Sequence, residues 1–73
     1  MIFEKGDKVT GMYLGRYDFA GIIWHTEASS KGQNIYVDLE RPIFVGEFIN
    51  PRTSIFIDTG NNESKVKKTL DNL

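Results

Sequence analysis

Asn34-Ile35-Tyr36-Val37-Asp38-Leu39-Glu40 is the stretch on which the fold turns. Ile35, Val37 and Leu39 alternate with Tyr36, Asp38 and Glu40, a period of two that puts one set on a core face and the other on a wet face. That is the pattern of a half-buried strand. Upstream, Phe19-Ala20-Gly21-Ile22-Ile23-Trp24-His25-Thr26 is apolar on both faces, as expected of the most central strand. The run Glu27-Ala28-Ser29-Ser30-Lys31-Gly32-Gln33-Asn34 between them is polar and contains a residue free to take positive φ, which predicts an exposed, mobile loop.

Further out, residues 7–14 alternate again, with Val9, Gly11 and Tyr13 set against Lys8, Thr10, Met12 and Leu14, and Gly15-Arg16-Tyr17-Asp18 reads as the turn that follows. Pro42 has no backbone donor and is expected to break the chain before a fourth strand, Ile43-Phe44-Val45-Gly46-Glu47-Phe48-Ile49, with Gly46 permitting a bend. Asn50-Pro51-Arg52-Thr53 is a turn signal leading to a fifth strand, Ser54-Ile55-Phe56-Ile57-Asp58. After Thr59 the pattern changes. Val66, Leu70 and Leu73 recur at helical spacing behind Gly60-Asn61-Asn62-Glu63, where an Asn cap and an early Glu favour a helix start. The expected fold is all-β: a five-stranded small β-barrel over residues 1–58, with residues 59–73 as a short C-terminal helix or disordered tail.

Gly6-Asp7-Lys8-Val9, followed by Gly11, Tyr13, Gly15, Gly21 and Ile23, resembles the first hairpin of SH3-like small barrels, including the KOW and Tudor-like groups, over about the first 25 residues. The resemblance implies a five-stranded SH3-like barrel whose glycines allow a strongly bent hairpin. The nucleic-acid-binding members carry basic loops that this chain lacks. The sequence is also similar to small uncharacterised proteins of phages and bacteria that share the Tyr-Leu-Gly opening followed by an aromatic residue and Gly. That likeness assigns no activity; a phage-type inhibitor of host machinery is one role that fits the small size, the aromatic content and the absence of a catalytic constellation.

A chain of 73 residues holds one domain with a thin core. It contains no cysteine, so disulfides and the usual structural zinc sites are excluded, and association with further copies is the expected source of added stability. No run of about 18 apolar residues is present, which speaks against a membrane span, and the N-terminal stretch lacks the features of a secretory signal; a cytoplasmic location is expected. The net charge of −1 supplies no general field for nucleic acid or anionic membrane.

Catalytic constellations are absent from the pattern. The one histidine, His25, has no second histidine or cysteine to share a metal with, and is read as a structural or surface residue. Asp38 and Glu40 share a strand face, as solvated carboxylates commonly do. No serine lies in a recognisable nucleophile turn, and Gly11, Gly15 and Gly21 do not lead from a strand into a helix as a phosphate loop must. The cluster Lys65, Lys67 and Lys68 reads as a solvated helix face.

The informative excess is aromatic. Tyr13, Tyr17, Phe19, Trp24, Tyr36, Phe44, Phe48 and Phe56 are more than one thin core encloses, so some must line a surface. The expected function is a non-enzymatic binding module, without cofactor or metal and homo-oligomeric, that takes a protein partner or a small nucleotide-like ligand. Tyr17, Trp24, Arg41 and Arg52 are its candidate binding residues. The alternative is a nucleic-acid-binding barrel in which Tyr13, Tyr17 and Trp24 stack bases, which the charge balance does not favour.

Overall fold

Two successive residues with left-handed backbone, Leu14 at φ 54° and Gly15 at φ 69°, reverse the chain, and the Arg16 amide donates to the Tyr13 carbonyl at 3.1 Å to close the turn. Positive φ at both central positions is the type I′ arrangement, whose twist matches that of a hairpin. Glycine adopts it freely; for a leucine it costs about 1–2 kcal/mol. The turn joins β1 (Lys8–Tyr13) to β2 (Tyr17–Ser29) in the computed structural model, which describes residues 2–46, 51–61 and 63–69.

The chain continues through β3 (Gly32–Ile43), β4 (Arg52–Asp58) and β5 (Lys65–Lys68). All pairings are antiparallel, and the sheet order is β4-β3-β2-β1-β5, so sequence neighbours pair except where β5 returns to the open edge of β1. The protein is thus all-β, with a single five-stranded sheet and no helix among the described residues.

Three expectations need correction. The predicted mobile loop at 27–34 is mostly strand: β2 and β3 remain paired out to Ser29 opposite Gly32, leaving only Ser30 and Lys31 as the turn. The predicted helix is absent where residues 65–68 are described; they form β5, with Val66 opposite Gly11 and Lys68 opposite Val9. Leu70 and Leu73, which completed the supposed helical stripe, lie outside the described residues. The fourth predicted strand is also displaced. β3 runs through Pro42 to Ile43, Phe44 to Gly46 are not strand, and Glu47, Phe48, Ile49 and Asn50 lie outside the described residues. Pro42 is tolerated because the β2 pairing ends at Leu39, so its missing donor breaks no bond to that neighbour.

Among the described residues nine form the core, Phe3, Val9, Phe19, Ile23, Ile35, Val37, Ile43, Ile55 and Ile57, with Tyr13, Tyr17, Leu39, Val45 and Val66 packed against them. Two close approaches shape the sheet around this core. A Cβ on Gly11 would strike the Lys65 carbonyl oxygen, and one on Gly21 would strike the Asp38 carbonyl oxygen and come to 2.7 Å from Val37 Cγ1. Only glycine lets those strands bend so near to one another.

The N-terminal segment is held by side chains. The Phe3 amide donates to Gln33 Oε1 and Gln33 Nε2 donates to the Phe3 carbonyl, both at 2.8 Å, so the Gln33 amide stands in for a strand partner. Nearby, the Glu4 amide donates to Asp7 Oδ2 at 2.8 Å, and that carboxylate also lies 3.3 Å from Lys68 Nζ on β5. The Asp7 carboxyl is held below its ordinary pKa, first by the Glu4 amide and then by Lys68. Among the described residues no helix is long and apolar enough to cross a membrane.

Candidate functional site: an exposed aromatic face

The face of β2, β3 and β4 turned away from the core is set by the register. Ile22 lies opposite Asp38, His25 opposite Tyr36, Tyr36 opposite Phe56, and Asp38 opposite Ser54. Between Ile23 and His25 the register slips: β2 advances two residues while β3 advances one, leaving Trp24 as the extra residue of a bulge. The bulge shifts the alternation of β2, so Trp24 and His25 are both exposed although they are consecutive.

Tyr36 is the hub of the resulting cluster. Its ring centroid lies 5.4 Å from Trp24, 5.3 Å from His25 and 5.1 Å from Phe56, the last edge-on at 61°. Trp24 and His25 are 5.9 Å apart. Tilted and edge-on contacts at these distances each contribute about 0.5–1.5 kcal/mol beyond buried area. The cluster is therefore ordered by its own contacts while much of its surface remains wet: Trp24 is 48% and Phe56 46% exposed.

Polar bonds fix the ring positions. Trp24 Nε1 donates to Ser54 Oγ at 3.2 Å, and the Tyr36 hydroxyl donates to Glu27 Oε1 at 3.0 Å. That hydrogen bond to Glu27 is the main reason the Tyr36 phenol is pushed above its ordinary pKa, with burial and the Glu27 charge adding to it. His25 Nε2 lies 3.8 Å from Glu27 Oε2, with both side chains half exposed. The arrangement presents a rigid, partly apolar surface rimmed by carboxylates.

Of the four residues singled out from sequence, only Trp24 belongs to this cluster. Tyr17 packs against the core, and its hydroxyl accepts a hydrogen bond from the Gly46 amide at 3.3 Å. Arg41 lines a separate cleft of about 420 Å³ together with Asp18 and Glu40. Arg52 begins β4 opposite Ile43. Tyr13 also packs against the core. Sequence reasoning did not select Tyr36 and Phe56 as site residues. The signal was present: Tyr36 sits in the wet phase of 34–40, and Phe56 shares a strand phase with Ser54 and Asp58 between two isoleucines.

No protein-family model matches this chain, and no curated protein or solved structure does either.

Proposed function

We propose that the protein is a non-enzymatic interaction module, an SH3-like barrel that docks a protein partner on the outer face of β2, β3 and β4. The strand order β4-β3-β2-β1-β5 and the bends at Gly11 and Gly21 support a curled sheet. So does the bond from the Leu14 amide to Ser64 Oγ at 2.8 Å, which brings the β1–β2 turn to the β4–β5 connection.

The observation that carries the reading is the exposed aromatic cluster around Tyr36. Clustered aromatics that are fixed by mutual contacts, yet left open to water, have the composition and rigidity of an interface centre. A partner gains their burial without first ordering them.

Replacing Trp24 with a photo-crosslinking phenylalanine derivative, in the organism that carries the gene, tests this. A discrete protein adduct that disappears when Phe56→Ser is added supports the reading. An adduct destroyed by nuclease favours the nucleic-acid alternative, and the absence of adducts at this position refutes docking on this face.

A further inference from the structure

We infer that the partner docked on this face is cationic: a protein segment in which arginine or lysine side chains alternate with apolar ones. This rests on the interaction reading above and adds the chemistry of the occupant.

The fixed charges nearest the rings are negative. Over the registered patch formed by residues 22–27, 34–38 and 54–58 there are three carboxylates, Glu27, Asp38 and Asp58, and no lysine or arginine. Glu27 and Asp38 are exposed. At its margins Lys8 on β1 is the registered partner of Ile22, and Arg52 lies two residues before Ser54 on β4; Lys65, Lys67 and Lys68 are on β5. A cation arriving here meets carboxylates at the rim and the faces of Trp24 and Tyr36 at the centre, and a guanidinium can stack on such rings. A nucleic acid docked here brings its phosphates to Glu27 and Asp38 and meets like charge.

An independent observation extends the patch. Leu14 keeps a left-handed backbone that disfavours a bulky side chain, and that side chain is 40% exposed. Stability alone selects glycine or asparagine at such a position. Leu14 and Phe56 line one cleft of about 340 Å³, with Asp58 and Glu63 also on its walls. The strained turn thus holds an apolar anchor beside the aromatic cluster, and acidic residues border it again. A contact made outside the chain would offset the cost of that strain.

The test uses the full chain, titrated with short synthetic peptides of alternating leucine and arginine, leucine and glutamate, or serine and arginine, and with oligothymidylate. Trp24 fluorescence and backbone amide shifts are followed at low and moderate salt. The leucine-arginine peptide is expected to bind roughly tenfold tighter than either other peptide, to weaken as salt rises, and to shift Leu14, Trp24, Tyr36 and Phe56. Glu27→Gln with Asp38→Asn should remove that preference. Leu14→Asn should weaken peptide binding while raising the thermal midpoint, a pair of effects that a purely structural leucine does not produce.

Equal binding of the leucine-glutamate peptide overturns the cationic partner and leaves the interaction reading standing. So does a dimer abolished by Phe56→Ser without peptide binding, whereas oligothymidylate binding at this face overturns the protein-partner reading as well. A face silent to every probe, in a chain monomeric at all concentrations, overturns both.

Discussion

Replacing Gly11 by alanine should release β5 while leaving the other four strands folded. The new Cβ would strike the Lys65 carbonyl oxygen and come to 2.9 Å from the Lys65 carbonyl carbon and 3.0 Å from Val66 Cα. These are backbone atoms, so β5 has to move as a unit. Its attachment is weak enough to do so. Four registered pairs with β1, at about 1 kcal/mol net each, and about 1 kcal/mol for the half-buried Val66 give about 5 kcal/mol. Ordering residues 65–69 costs about 1 kcal/mol apiece, again about 5 kcal/mol.

Among the described residues the remaining ties are the partly exposed Lys68–Asp7 ion pair at 3.3 Å, the Thr69 amide to the Lys8 carbonyl and the Leu14 amide to Ser64 Oγ; the two hydrogen bonds, each 2.8 Å, add on the order of 1–2 kcal/mol. The cost of Gly11→Ala is therefore limited to about 1–2 kcal/mol, the free energy of peeling β5 away. Native-state hydrogen exchange reads the effect directly. Amides at Lys65, Lys67 and Thr69, which face β1, should lose protection while those of Ile23, Ile35 and Val37 keep theirs, and the urea midpoint should fall modestly. Unchanged protection in β5, or loss of protection in β2 and β3 in step with it, refutes the reasoning.

Ile23→Ala removes a side chain with no solvent exposure and should cost about 2–5 kcal/mol by urea denaturation, a large part of the roughly 4–11 kcal/mol expected for a domain of this size. Asp7 has a lowered native pKa, so its stabilisation is present above the unfolded carboxylate value and lost as pH falls through the native one; Asp7→Asn should show a smaller drop in thermal midpoint than the parent between about pH 5 and 3. Glu27→Gln should bring the Tyr36 phenol down towards its ordinary pKa, seen as an earlier tyrosinate absorbance step on raising pH.

Legibility in the sequence follows how many residues of an element touch the core. β1, β2 and the first half of β3 bury alternate side chains, and their period of two is plain in Val9, Phe19, Ile23, Ile35 and Val37. The outer ends of β2 and β3, from Glu27 to Asn34, extend where neither face is fully buried, so nothing apolar marks them as strand. β5 has four residues and one apolar position, Val66; its strand character comes from the edge that Gly11 leaves open to it, a contact fifty-five residues away in sequence. Val66, Leu70 and Leu73 matched a helix because short spacings of four and three arise easily by chance. At the site, aromatic excess announced an exposed set, but the bulge at Trp24 changes the phase of β2 midway, and no local residue pattern records that slip.

The return of β5 to β1 also sets an order of events during synthesis. β1, β2 and β3 each pair with the strand that follows directly in sequence, so the pairing of the first four strands can begin as the chain emerges. The edge of β1 has no such neighbour and waits until residues 65–68 have been made. For that interval the nascent protein carries an open strand edge containing Val9 and Met12, and a site for errant pairing with another growing chain is closed only by the last described strand.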